Sequence, residues 1–463
     1  MVRDGRSRPP GKNMTTAQEI TSPLPTGGAV LPSFGEAFRV WLKIGCLSFG
    51  GPAGQIAMMH RVLVDEKKWI DEPRYLHALN YCMLLPGPEA QQLATYVGWL
   101  MHGVRGGLAA GLLFVLPGAL VMLGLSFIYV LARGLPVVDG ALFGIKAAVL
   151  VVVIEAIVRI GRRSLKSSLL VGIAAAAFVG IFVLALPFPL IVVAAGLVGY
   201  WVARSAPGQL GIKGDAETRA APRPGRWRLA AKQASIWFAI WWAPVAVAVL
   251  LLGPNHVLVS LGVFFSKLAV VSFGGAYALM AYMAQEVVEA QGWLKLPEMV
   301  DGLGLAETTP GPLILVTQFV GFLAAYREAA PFAPLLAAVL GAAMTTWTVF
   351  APSFLWIFAG APFIEDLRSN KRLTGALAAI TAAVVGVILN LAAWFTLHVL
   401  FRQIDERHFG PLRWFAVDLA SVDTTAVVLT AMAAGLVFAL HRGLIETIAI
   451  MAAAGIMVRL AFG

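Results

Sequence analysis

The sequence predicts an all-α polytopic membrane protein made of two inverted-topology repeats with broken or re-entrant helices. Three observations carry this expectation: an apolar composition, a segment written twice, and a contrast in basic residues between the two copies. Of 463 residues, 59% are hydrophobic and 13% are charged, against about a quarter charged in a soluble globular chain. Apolar runs cover 107–132, 137–158, 169–187, 236–252, 335–358, 373–400, 422–440 and 444–462. Each is close to the ~20 residues that cross a hydrocarbon core as a helix. A helix also satisfies its own backbone polar groups where no water can.

The chain opens with a Pro-, Gly- and Ser/Thr-rich stretch, 1–33, carrying Arg3, Arg6, Arg8 and Lys12. Such a composition cannot bury enough apolar surface to fold, so a disordered tail is expected. No apolar core precedes Phe34, which argues against a secretory signal peptide. A second polar stretch, 205–232, holds Pro207, Pro222 and Pro224 with six Lys and Arg residues from Lys213 to Lys232. It reads as a basic cytoplasmic linker between a first repeat, 34–204, and a second, 233–463.

A shift of 224 positions brings Lys43 onto Lys267 and Ser48-Phe49-Gly50-Gly51 onto Ser272-Phe273-Gly274-Gly275. It also brings Trp69 onto Trp293, Pro73 onto Pro297, and Pro86-Gly87-Pro88 onto Pro310-Gly311-Pro312. Fourteen of the 46 positions from 43 to 88 are identical, too many for chance, so the duplication is read as real. Beyond the second proline the copies drift, and the second gains an insertion around 326–334.

The loop after the first Ser-Phe-Gly-Gly holds Arg61, Lys67, Lys68 and Arg74, whereas its counterpart holds only Lys295 among Glu286, Glu289 and Glu298. Lys and Arg set sidedness, so the first loop is expected in the cytoplasm and the second outside. One extra span, 236–252, would invert the second copy, the architecture of many secondary transporters. If the broken segments are re-entrant hairpins, 24 basic residues fall inside and seven outside. The pattern fits both hairpins and kinked full spans.

Two adjacent glycines cost about 1 kcal/mol each in a helix interior. Pro52 removes a further helical bond, so 41–64 is expected to break at 48–52. The alternative for Ser48, Gly50, Gly51, Ser272, Gly274 and Gly275 is close helix packing through small residues. The Pro-Gly-Pro turns (Pro86, Gly87, Pro88; Pro310, Gly311, Pro312) fit the start of new half-helices. Half-helix N-termini carry free amides and attract anions; the alternative is a surface turn. Thr308 and Thr309 precede the second turn and Gln92 follows the first, each able to cap a helix or reach a ligand.

Lys43 and Lys267 each sit five residues before the serine of their motif. They read either as a symmetric pair of cations facing a dianion or as lysines snorkelling to the interface. Glu89 and Glu307 flank the Pro-Gly-Pro turns. Each is a candidate proton carrier or a helix-end carboxylate. His60, Asp139, Lys146 and Glu155 read as interfacial or paired residues. Cys46 and Cys82 form no CxxC and read as small buried hydrophobes.

At these residues the sequence resembles the chromate ion transporter family in its long, two-repeat form. The likeness rests on Ser48-Phe49-Gly50-Gly51-Pro52, Trp69 and Leu85-Pro86-Gly87-Pro88 with Gln92. It is echoed at 272–275, Trp293 and Thr309-Pro310-Gly311-Pro312, and it covers most of 34–462. The resemblance implies a bacterial inner-membrane protein that exports chromate and confers chromate resistance, with sulfate as competitor. Glu89 departs from the small polar residue often found there in the family. Seven scattered histidines form no HxxxD or HExxH pattern and there is no GxxxxGK[ST]. No enzyme activity, cofactor, bound metal or nucleic-acid partner is therefore expected. The lipid bilayer is the expected surrounding, and a homodimer stays open.

Overall fold

The computed structural model describes residues 32–210, 226–273, 276–360, 370–410 and 412–462. The expected tail up to residue 31, the linker residues 211–225 and the pair Gly274-Gly275 lie outside the described residues.

The first copy runs through α1 (Phe34–Leu47), α2 (Gly51–His60), α3 (Glu72–Cys82), α4 (Glu89–Ala132), α5 (Pro136–Ser164), α6 (Ser168–Phe182) and α7 (Phe188–Ser205). A further helix, α8 (Arg226–Leu252), takes up the end of the basic linker. The second copy comprises α9 (Val257–Val271), α10 (Ala276–Gln285), α11 (Leu296–Thr308), α12 (Val316–Arg327) and α13 (Pro334–Gly360). It continues through α14 (Lys371–Leu400), α15 (Thr424–Ala434) and α16 (Leu444–Phe462). Both α2 and α10 end in a π-helical turn, Arg61–Glu66 and Glu286–Ala290, at matching positions of the two copies.

Seven of the described helices are long and apolar enough to cross a membrane: α4, α5, α7, α8, α13, α14 and α16. This is the all-α polytopic architecture the composition demands. Two expected spans come out differently. The run 169–187 yields only the 15-residue α6, because Pro187 and Pro189 begin a new helix, α7. The run 422–440 is α15 followed by a π-helical turn, Gly435–Ala439. Ahead of it stands an antiparallel hairpin, β1 (Ile404–Phe409) and β2 (Leu412–Val417), that hydrophobic patterning did not announce. Its buried Arg413 donates to the carbonyls of Ile181 and Phe182 at the end of α6. Cys82 is buried as expected, but Cys46 is exposed on α1.

Helix α4 is folded in two. Its backbone leaves helical geometry at His102 and Gly103, the latter at φ +60°, and limbs 89–101 and 104–132 run back along one another. Gly98 lies against Gly106, and Thr95 against Gly107 and Gly111. Backbones approach this closely only through small residues. In the second copy α12 and α13 make the same antiparallel pair through Gly321 and Gly341. The insertion foreseen around 326–334 is the loop that joins them.

The later elements correspond as well. Pro136 and Lys371, which open α5 and α14, differ by 235; Ser168 and Thr424, and Phe188 and Leu444, differ by 256. The second increment is the β-hairpin. Contacts between the copies are reciprocal under these shifts: Gly140 of α5 packs on Gly455 of α16, and Gly375 of α14 on Gly199 of α7. Such i-to-j and j-to-i pairing is the signature of a two-fold relation. The equivalent helices α5 and α14 run antiparallel. Phe143 and Lys146 share a cavity wall with His398 and Phe401, while Gly161, further along α5, faces Val385, earlier on α14.

Prolines inside the long helices expose carbonyls that neighbouring tryptophans use. Pro352 in α13 strips the Thr348 carbonyl of its helical donor, and Trp241 of α8 donates to it at 3.0 Å. Pro244 in α8 does the same to Ile240, which accepts from Trp347 at 3.2 Å. These two reciprocal bonds fasten α8 to α13. Trp241→Phe keeps an aromatic ring but loses the donor and part of the indole's buried volume. It is expected to destabilise the protein by about 1–2 kcal/mol, read as a lower melting temperature in detergent; an unchanged melting temperature would remove this bond from the account.

Candidate functional site

Four chain breaks meet at one place between the copies. Helix α1 stops at Leu47. Ser48 takes φ −78°, ψ +78°, and Gly50 and Gly51 take φ +87° and +70°, a left-handed backbone that side chains resist. Pro52 then occupies the first turn of α2, where its missing N–H costs nothing. In the second copy α9 stops at Val271, and Ser272 takes φ −80°, ψ +72°, nearly the values of Ser48.

The other two breaks are the Pro-Gly-Pro turns, with Gly87 at φ +118° and Gly311 at φ +83°. They reverse the chain. The rings of Tyr81 and Tyr96 lie 5.6 Å apart across the first turn, and Gly302 packs on Phe319 across the second. In one straight rod residues 15 apart would be separated by about 22 Å. The chain therefore doubles back at both turns.

The copies are stitched together at these turns. The Gly87 N–H donates to the Ser272 carbonyl at 2.9 Å, and the Gly311 N–H to the Ser48 carbonyl at 2.7 Å. Under the 224-residue shift each bond is the image of the other. Gln55 Nε2 adds a 2.6 Å bond to the Gly311 carbonyl. Each turn also rests on the other copy's long helix, Gly87 beside Ser353 of α13 and Gly311 beside Phe114 and Gly118 of limb 104–132.

A cavity of about 20 Å³ sits at this junction. Its wall takes Pro52 from the start of α2, Glu89 and Ala90 from the start of α4, Ala276 from the start of α10, and Leu313 and Ile314 from the turn leading into α12. Four half-helix N-termini therefore converge on one point. Glu89, half-buried, lies in that wall. Glu307 does not line the cavity; it is buried at the end of α11, where Tyr277 donates to its Oε1 at 3.1 Å and, among the described residues, its Oε2 has no hydrogen-bond partner.

Sequence comparison now bears on this geometry. The chromate transporter family profile matches residues 35–200 and 259–458, one block on each copy. The chain is 32% identical to a chromate transport protein of Pseudomonas aeruginosa, over 82% of this chain and 83% of that protein. It is 28% identical to a chromate transport protein of Cupriavidus metallidurans, over 75% and 79% respectively. The chain belongs to the chromate transporter family. No solved structure matches it.

In this family member the sequence-derived candidates divide. Ser48, Gly50, Gly51, Pro86, Gly87, Pro88, Ser272, Pro310, Gly311 and Pro312 all belong to the four breaks, and Gly87, Pro88, Ser272 and Pro312 line the cavity itself. Gly274 and Gly275 lie outside the described residues. The hydroxyls are engaged locally: Ser48 with Ile44, Ser272 with Ala269, Thr308 with Leu305 and Thr309 with Ala306, each donating to a carbonyl of its own helix. Gln92 straps its own turn through a 2.6 Å bond to the Pro86 carbonyl. Lys43 and Lys267 stand apart. Both are exposed on the outer faces of α1 and α9, and neither lines the cavity. Of their two readings, outward exposure fits a snorkelling lysine and not a cation facing the cavity.

Sequence reasoning missed Gln55, Tyr277 and the helix prolines Pro117 and Pro352. The prolines had a legible signal: each interrupts a long apolar helix, and they lie 235 apart, the same spacing that relates Pro136 to Lys371.

Proposed function

We propose that this protein is a secondary transporter that exports chromate across the bacterial inner membrane, driven by the membrane potential, by proton antiport, or by both. The observation that carries the reading is the convergence of four half-helix N-termini, two from each copy, on one cavity. Each N-terminus carries roughly half a positive charge, so four supply about +2, a match for a tetrahedral dianion. This offsets the cargo's charge without Lys43 and Lys267. Relatives named as chromate transport proteins suggest chromate as the cargo; backbone amides alone would take sulfate in the same way, which makes sulfate the natural competitor.

At about 20 Å³ the cavity has room for little more than a water. A tetrahedral oxyanion needs the turns to part. Inverted repeats provide the motion, one copy rocking against the other so that the centre opens to each side in turn. The antiparallel course of α5 and α14 supports that inversion, as does the 24-to-seven split of basic residues. An interior-negative potential drives a dianion outward by about 4.6 kcal/mol per 100 mV, which favours export without ATP.

Radiolabelled chromate flux into inside-out vesicles, with imposed voltage and with sulfate as competitor, tests the reading. Voltage-dependent chromate uptake, inhibited by sulfate, is expected; absence of flux for both anions in either vesicle orientation refutes it. In the same assay Glu89→Gln removes a carboxylate from the cavity wall. Coulomb repulsion of a dianion falls, and the chromate concentration for half-maximal flux is expected to drop at least about tenfold. An unchanged value would place Glu89 off the anion's path.

A further inference from the structure

We propose that the cavity between α5, α11, α14 and the start of α15 is a second anion site, a vestibule in which Lys146 holds a tetrahedral dianion on its way to or from the central turns. The proposal rests on the oxyanion-carrier reading above. This cavity measures about 430 Å³, enough for an oxyanion with part of its hydration shell. Its polar wall consists of Lys146, His398, Arg402 and Asp423, and α11 adds Pro297 and Val300.

Arg402 is committed to Asp423, with Nε and Nη2 at 3.2 and 3.0 Å from one carboxylate oxygen. Lys146 is placed differently. Its amine lies 2.8 Å from Asp301 Oδ1, yet Asp301 has other support. Tyr129 donates to its Oδ2 at 2.8 Å, and Arg133 lies 3.5 Å from the same oxygen. Arg133, Lys146 and Arg327 meet Glu298 and Asp301 in one network, three cations against two carboxylates. Lys146 can therefore turn into the cavity while Arg133 keeps Asp301 compensated. A net positive charge beside an open, low-dielectric cavity concentrates anions.

The device is one-sided. Under the shifts that relate the copies, Lys146 corresponds to Thr381 and Asp301 to His77, so the duplicated face lacks the lysine–aspartate pair. Asp301 and Val300 also belong to α11, the arm that runs into Pro310-Gly311-Pro312. An anion in the vestibule thus touches the element that forms one central turn.

The test uses the detergent-purified full chain carrying Val399→Cys, a substitution in the cavity wall, in a transport-competent Cys46→Ser, Cys82→Ala background. Sulfate is the probe, because chromate oxidises thiols. Sulfate is expected to slow modification of the introduced thiol by a soluble thiol reagent. Lys146→Gln should raise the sulfate concentration for half-protection about tenfold, the loss of one charge-assisted contact, and Lys146→Arg should leave it near the starting value. If Lys146→Gln alone does not fold, the charge-balanced Lys146→Gln/Asp301→Asn variant carries the same readout. Absence of protection, or equal protection with and without Lys146, overturns the proposal. So does protection by a soluble short-chain phosphatidylglycerol but not by sulfate, which would make the cavity a lipid pocket. Chromate flux on the same proteins separates the two readings. Absence of protection in a Val399→Cys protein that retains Lys146 and carries chromate sinks the vestibule alone, and protection in a protein that carries no chromate sinks the cargo.

Discussion

Gly118→Ala is expected to cut chromate flux about a hundredfold while Ser353→Ala leaves it nearly unchanged. The two positions are equivalents, 235 apart, on the long helices that support the Pro-Gly-Pro turns. A Cβ on Gly118 would overlap the Pro310 carbonyl oxygen and press on Leu315. A carbonyl fixed between two prolines cannot step aside as a flexible side chain would, so the second turn itself must move. Overpacking of this kind typically costs 1–3 kcal/mol. Displacing a binding geometry by about 1 Å can cost a factor of about a hundred in rate. At the first turn the equivalent position already carries a side chain, Ser353, whose Oγ lies 3.6 Å from where a Cβ on Gly87 would stand, and trimming the serine only enlarges the space on that side. Flux in vesicles and melting temperature in detergent measure both effects. Full activity of Gly118→Ala would mean that the second turn does not rest on limb 104–132 in the working protein.

This contrast shows what the sequence could and could not convey. Glycine pairs, Pro-Gly-Pro and a 224-residue repeat are local signals, and they located all four breaks because each violates helix chemistry within a few residues. Their convergence was legible only as a consequence of symmetry. The reciprocal bonds from Gly87 to Ser272 and from Gly311 to Ser48 join residues whose pairing no local pattern encodes. Lys43 and Lys267 show the limit from the other side. Recurrence in both copies fixed their position along the helices, but the side of a short helix that faces the cavity depends on packing, and α1 buries Val40, Trp41 and Ile44 instead. The β-hairpin escaped because β1, with five of its six residues exposed, offers no alternation of buried and open positions. Asp301 gave no signal either. Its importance comes from Tyr129, Arg133 and Lys146, which lie more than 150 residues away in the chain.

Glu307→Gln is expected to abolish the response of chromate flux to a pH gradient while sparing the response to voltage. Glu307 is 4% exposed, and among the described residues its Oε2 has no hydrogen-bond partner. Within the described residues it makes no ion pair. A buried carboxylate without a paired cation is costly to keep ionised, so its charge must be compensated by a proton at some stage of the cycle. It sits at the end of α11, immediately before the second turn, with Tyr277 of α10 holding its Oε1. The rocking that parts the turns would therefore carry this carboxyl between environments, which is what proton antiport requires. Exchange of one proton per cycle makes each unit of pH gradient worth about 1.4 kcal/mol, or up to tenfold in the accumulation ratio. The amide keeps the shape and an acceptor for Tyr277 but cannot release a proton. Accumulation of chromate in inside-out vesicles, measured against imposed voltage and imposed pH gradient separately, resolves the two drives. A Glu307→Gln protein that still answers the pH gradient would move the coupling proton elsewhere, with Glu89 the next carboxyl to test.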